Sequence, residues 1–95
     1  MPTLHIEHAI SDLPTWKAAF DRFAAARAQS GVRGHRIQQP IDDPHQVVVD
    51  LDFDTTDQAQ RYLHFLQTTV WASPQNAPAL DGALHTTILQ TVAEQ

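Results

Sequence analysis

The amino-acid sequence predicts an α+β fold in which a four-stranded antiparallel sheet carries two helices on one face. Three observations predict it. Two segments show the 3.6-residue apolar periodicity of amphipathic helices, each with a start signal of its own. Four segments alternate or run valine-rich over strand-like lengths. The order along the chain is strand, helix, strand, strand, helix, strand, or βαββαβ.

The first strand is read over Thr3 to Ile10, where Leu4, Ile6, His8 and Ile10 point one way and Thr3, His5, Glu7 and Ala9 the other. Ser11-Asp12 then offers side-chain oxygens to the free amides of a helix start, and Pro14 falls where a missing N–H costs nothing. The first helix is expected from about Leu13 to about Ala28. Leu13, Trp16, Ala19, Phe20, Phe23 and Ala24 share one face, with Lys17, Asp21 and Arg22 away from it, and Gly31 supplies the stop. Val32 to Gln39 reads as the second strand and His45 to Phe53 as the third, joined by Pro40-Ile41-Asp42-Asp43-Pro44. In the third strand Val47, Val49, Leu51 and Phe53 make the apolar row. Thr55 to Gln58 has capping-box spacing and opens the second helix, with Ala59, Tyr62, Leu63, Leu66 and Val70 as its stripe. Trp71 to Pro78 holds two prolines and reads as a loop or broken turn, and Leu84 to Val92 is the fourth strand.

Two such helices fit on the same face of a sheet of order 4-1-3-2, the split βαβ or ferredoxin-like arrangement. At 95 residues one domain, 1–95, is expected. A core of that size is only modestly stable unless association covers more apolar area. The sequence has no cysteine, which excludes disulfides, thiolate metal sites and thiol nucleophiles. A formal charge of -5 without a Lys/Arg cluster argues against nucleic acid as a partner. No stretch approaches the length of a membrane span, and the N-terminal residues enter a strand pattern at once, so a soluble, cytoplasmic protein is expected.

With these elements placed, the chain resembles the dimeric α+β barrel proteins, and within them the antibiotic-biosynthesis-monooxygenase-like branch with its small bacterial members. The residues that carry the resemblance are the run Asp12 to Asp21, Gly31-Val32 ahead of the second strand, Asp42-Asp43-Pro44 before the valine-rich strand, and Trp71-Ala72-Ser73-Pro74 followed by Pro78-Ala79-Leu80. The resemblance implies a homodimer whose two sheets pack face to face, with a ligand cavity in each subunit between sheet and helices. It also implies cofactor-independent oxygenation of an activated phenol as the activity of an enzymatic member, and no cofactor or metal is expected.

Candidate site residues follow from the faces. Arg27 falls at about 320° from Leu13, inside the apolar stripe of the first helix. A guanidinium there either snorkels out at the helix end or finds a partner, or it faces a cavity and holds an anionic or enolate oxygen. His8, on the apolar row of the first strand, and Tyr62, on the second helix, are either hydrogen-bonded core residues or lining of the same space. Trp16 fills core or positions a ring. Trp71 caps a pocket, meets a partner subunit or packs on the adjacent helix. In the catalytic reading implied by the resemblance, His8 is the base, Arg27 stabilises the oxyanion, and Trp16, Tyr62 and Trp71 contact substrate.

A second constellation lies on the opposite sheet face: His5, Glu7, Asp50, Asp52, His85 and Thr87, with His35 as a further candidate. Its bland reading is a wet or salt-bridged dimer interface, and its sharper one a divalent metal site, although no compact ligand motif such as HExxH occurs. His64 invites comparison with the axial histidine of haem-degrading relatives. It lies outside the helix stripe, and the asparagine those relatives carry on the first strand has no counterpart, the only asparagine here being Asn76. A non-catalytic dimeric binding or structural protein is the alternative to an enzyme.

Overall fold

The computed structural model describes residues 1–92, so the domain expected over 1–95 extends at 93–95 beyond the described residues. Its elements are β1 (Thr3–Ile10), α1 (Leu13–Arg22), α2 (Ala24–Gln29), β2 (Gly34–Gln38), β3 (Gln46–Asp52), α3 (Thr56–Phe65), a π-helical turn (Leu66–Val70) and β4 (Leu80–Leu89). The sheet has the order β2-β3-β1-β4 with every neighbouring pair antiparallel. This is the predicted 4-1-3-2 order counted from the other edge.

Alternation in β1 is complete: Leu4, Ile6, His8 and Ile10 are buried and the residues between them are not. They meet Val47, Val49, Leu51 and Phe53 of the β3 segment and Trp16, Ala59, Tyr62, Leu66 and Val70 from the helical layer in one core. Two-residue periodicity on the strands and 3.6-residue periodicity on the helices therefore put their apolar rows against each other.

The local signals at the helix ends behave as the sequence predicts. Asp12 caps α1 by accepting from Thr15 N at 2.9 Å. The Thr55–Gln58 capping box opens α3 with reciprocal bonds of 3.2 Å. At the end of α2, Gly31 has φ +92°, and the bonds Val32 N to Arg27 O (3.1 Å) and Gly31 N to Ala28 O (3.3 Å) form a Schellman motif.

Four expectations are corrected. The first helix is not continuous to Ala28: it breaks at Phe23, whose N–H makes a tightened bond to Phe20 O at 3.2 Å, and Ala24 is exposed rather than part of the apolar face. No proline or glycine marks this break in the sequence. The second and third strands are Gly34–Gln38 and Gln46–Asp52, shorter than Val32–Gln39 and His45–Phe53, although Arg33 N still bonds Asp52 O at 2.7 Å and Phe53 N bonds Pro2 O at 2.9 Å. The fourth strand runs Leu80–Leu89 rather than Leu84–Val92. Its early start rests on an irregularity in which β1 advances from His8 to Ile10 while β4 moves from Leu84 to Leu80, with Gly82 at φ +99° absorbing the extra residues. Finally, His35 belongs to the helix-covered face: it pairs with Leu51 and packs edge-on against Phe20 at 5.4 Å, and Arg36 takes the outward position opposite Asp50.

No helix of the described residues is long and apolar enough to cross a membrane.

Candidate functional site

Between sheet and helices lies a half-open cavity of about 70 Å³. Its floor is Ile6 and His8 of β1 with Val49 and Leu51 of β3, and its roof is Trp16, Ala19 and Phe20 of α1, Phe23 at the helix break and Arg27 of α2. Tyr62 of α3 and Leu66 and Val70 of the π turn close one side. Trp71, Asn76, Ala77, Ala79 and Leu80 supply the remainder, and the partly exposed members of this last group form part of the rim. All five candidate residues, His8, Trp16, Arg27, Tyr62 and Trp71, line this one space.

His8 is 4% exposed, and its Nδ1 has no hydrogen-bond partner among the described residues. Burial without a compensating bond disfavours the charged form, and it pushes the imidazole from 6.5 down to about 4. At neutral pH His8 is therefore an uncharged ring in the cavity wall, and its buried Nδ1 is unpaired among the described residues. Its position on β1 is one residue from the irregular stretch where β4 slips register, a location where bulges commonly redirect side chains.

Arg27 does not snorkel. It is 7% exposed, Nη1 donates to the Phe20 carbonyl at 2.6 Å, and its guanidinium carbon lies 3.6 Å from the centroid of the Phe20 ring. Burial lowers its pKa, an effect that Tyr62 and Asp21 oppose, and a guanidinium remains charged regardless. Tyr62 is held above the usual phenol value by burial, with the Arg27 charge opposing. Among the described residues no Asp or Glu lines the cavity, and Arg27 is the one charged lining residue. Trp16 bridges the two polar residues: its ring stands 6.0 Å edge-on to His8 and stacks on Phe20 at 5.0 Å.

Trp71 reaches the cavity because of the π turn. On a regular helix it would lie about 180° around from Tyr62. The wider turn, closed by Trp71 N to Leu66 O at 2.7 Å, advances less per residue and draws Trp71 back towards the Leu66 side. The loop beyond it is pinned by Asn76 Nδ2 to Thr69 O (3.0 Å) and by Arg22 Nη2 to Gln75 O (3.2 Å).

Neither the known protein families nor the curated proteins match this sequence. Solved structures do. SnoaB, a cofactor-independent oxygenase from Streptomyces nogalater, is 18% identical with a TM-score of 0.72, over 98% of this chain and 94% of that one. An antibiotic biosynthesis monooxygenase is 9% identical with a TM-score of 0.70, over 98% and 100% of the two chains. A dimeric ferredoxin-like protein from an uncultured marine organism is 10% identical with a TM-score of 0.69, over 99% and 90%. The chain has the fold of the antibiotic-biosynthesis-monooxygenase-like, ferredoxin-like proteins. At these identities the likeness is one of fold.

Phe20, Phe23, Asn76 and Leu80 were not among the candidates and also line the cavity. The two phenylalanines carry the ordinary apolar signal of a helix stripe, and nothing in sequence separates core from cavity wall. Asn76 had one signal, its place in a proline-flanked segment beside Trp71. His64 is exposed and does not line the cavity.

On the outer sheet face the predicted polar residues do meet. His5 Nδ1 lies 2.6 Å from Asp50 Oδ1, Arg36 Nη2 donates to Asp50 Oδ2 at 3.3 Å, and Thr3 Oγ1 donates to Asp52 Oδ1 at 2.8 Å. Glu7 stands opposite His85 in register. Among the described residues no three His, Asp or Glu side chains are grouped to hold a metal ion. The face thus joins His5 and Arg36 to Asp50, and Thr3 to Asp52.

Proposed function

We propose that this protein is a homodimer that binds a small, largely apolar aromatic molecule between its sheet and helices, and that it oxygenates an activated phenol without a cofactor. One observation carries the reading: among the described residues an apolar cavity is lined by one cation, Arg27, with no carboxylate in the lining, and by His8, whose buried Nδ1 has no partner. A bound phenol or enol satisfies both. From the keto form, a proton of the ring CH₂ passes to the neutral His8 ring, and the enolate oxygen that takes up the charge elsewhere on the ring is held by Arg27 in a space where such a contact is strong. The carbanion form then reacts with dioxygen. A ring CH₂ becomes C=O, one oxygen atom enters the product and the other leaves as water, so the four electrons lost by carbon reduce one dioxygen. Trp16 and Tyr62 hold the ring, and Trp71 covers it. Pushed to about 4, His8 is a weak base in the empty cavity. An anion beside it raises its proton affinity, which brings the transfer closer to balance.

The uncovered sheet face supports the dimer: a second copy laid on it covers Val48 and the paired charges around Asp50. Dimeric proteins of the same fold support it further.

Oxygen uptake decides the activity. A panel of hydroquinones and anthrone-type phenols is mixed with the protein in an oxygen electrode, with His8→Leu and Arg27→Met as controls. Uptake above background that both variants abolish supports the reading, and no uptake with any member ends it. A second reading, a dimeric binding protein without catalysis, is favoured by the cavity's small volume of about 70 Å³. Tight binding without oxygen consumption is its signature.

A further inference from the structure

We infer that the ligand of this cavity is a single aromatic ring that bears an ionised oxygen acid, directed at Arg27, and a hydroxyl that meets the His8 imidazole. The inference rests on the reading that the space beneath the helices takes a ligand, and it specifies that ligand's size, charge and polar pattern.

Size comes first. A dry apolar cavity of about 150 Å³ accepts benzene. At about 70 Å³ the space here is smaller, and a single ring fits only with part of its edge in the open rim. A fused polycyclic ring would have to displace Trp16, Leu51 or Tyr62, whose packing belongs to the protein's core. Interiors resist such displacement because they are close-packed.

Charge comes second. Arg27 spends one N–H on the Phe20 carbonyl and sets its guanidinium carbon over the Phe20 ring, and among the described residues its side chain forms no ion pair with a carboxylate. A guanidinium presents five donors in a planar fork, so several remain for an oxyanion. A neutral hydrocarbon would leave the cation with only Phe20, Tyr62 and the more distant Asp21 to offset its desolvation, whereas a carboxylate or phenolate neutralises it directly.

The polar pattern comes third. His8 Nδ1 is 4% exposed at the residue level and has no partner, a condition that native interiors rarely leave unanswered. His8 and Arg27 lie at the two ends of the Trp16–Phe20 aromatic pair, with His8 edge-on to Trp16 and Arg27 over Phe20. A ligand in the cavity therefore meets the two residues at different places. Because the only charge is at the Arg27 end, the ionised group belongs there and the neutral hydroxyl at His8.

Binding under nitrogen tests this separately from oxygenation. The probes are benzoate, 3-hydroxybenzoate, 4-hydroxybenzoate, 4-nitrophenolate, toluene and 2-naphthoate, followed by calorimetry and by quenching of Trp16 and Trp71 fluorescence. Benzoate is expected to bind on the order of tenfold or more tightly than toluene, and a hydroxybenzoate several-fold more tightly than benzoate. Comparison of benzoate with 4-nitrophenolate tells whether the acid is a carboxylic acid or a phenol. Arg27→Met removes the preference for anions and Arg27→Lys restores part of it, while His8→Leu removes only the hydroxyl gain. Toluene as tight as benzoate, naphthoate tighter than the single rings, or no binding by any probe overturns the inference on wild-type protein alone, whatever the variants do. A protein that binds hydroxybenzoates through Arg27 yet consumes no oxygen refutes the oxygenase and leaves this inference standing. One that oxygenates polycyclic phenols and ignores benzoates does the reverse.

Discussion

The Arg27 guanidinium is held by Phe20 twice over, by a 2.6 Å bond from Nη1 to the Phe20 carbonyl and by the Phe20 ring 3.6 Å beneath its carbon. The break at Phe23 creates this arrangement. Where the helix tightens, the Phe20 carbonyl takes a 3.2 Å bond from Phe23 N and has a second lone pair for a side chain one helical turn further on. Arg27 thereby becomes part of the structure as well as a cavity wall. Replacing it by Ala is expected to destabilise the fold by about 1–3 kcal/mol through lost packing, cation–π contact and the charge-assisted bond, read in urea denaturation. An Arg27→Ala protein as stable as wild type would show that Phe20 does not hold it.

Acid stability reports on His8. Its folded value of about 4 lies below the ordinary 6.5, so between those values the unfolded chain binds a proton that the folded chain refuses. Stability therefore falls as pH drops from about 6.5 towards 4, and the loss, roughly 3 kcal/mol, is complete below the folded value. Urea denaturation of wild type and His8→Leu at pH 7, 5 and 4 isolates it: the variant curve is expected to be flatter by that amount. Parallel curves would mean that His8 titrates normally.

Gly31 is fixed by backbone and neighbour together. Its φ of +92° is unfavourable for a residue with a Cβ, and a Cβ there would meet Gln58 Nε2 at 2.7 Å. Gly31→Ala should cost about 1–2 kcal/mol, or about 5–10 °C in Tm for a domain of this size. Gly34→Ala is the control, since its nearest neighbour stands at 3.8 Å and its φ is ordinary. Equal melting shifts for the two would refute the account. Because Gln58 also closes the α3 capping box, Gly31→Ala and Gln58→Ala should be non-additive.

Val48 faces outward from β3 opposite Glu7, beside the Asp50 charges. If the proposed dimer covers this face, Val48→Glu adds a fourth carboxylate to Glu7, Asp50 and Asp52 and should give a folded monomer. Sedimentation equilibrium read with circular dichroism checks this, and a Val48→Glu dimer of unchanged affinity would place the interface elsewhere.

Much of this was legible in advance because the signals are local. The iBiBiBiB burial of β1 follows from alternation alone, and the Asp12 and Thr55 caps follow from the hydrogen-bonding reach of a side chain over three residues. Four of the five site candidates stand out in the sequence because His8, Arg27 and Tyr62 put a polar group on an apolar row and Trp71 precedes prolines, whereas Trp16 is an ordinary member of its stripe. Phe20 and Phe23 break no pattern and were read only as core.

The sequence by itself determined the order of elements, the inward rows of β1 and β3, the helix caps and the Gly31 stop, because each depends on residues within one or two turns of one another. Tertiary structure alone decided the break at Phe23, the π turn that swings Trp71 inward, the slip in register beside His8 and the side of the sheet that His35 occupies. Each of these is a small departure from periodicity whose stability comes from contacts between distant segments, Arg27 on Phe20, His35 on Phe20, β4 on β1, and a one-dimensional pattern carries no record of which distant segment will be there.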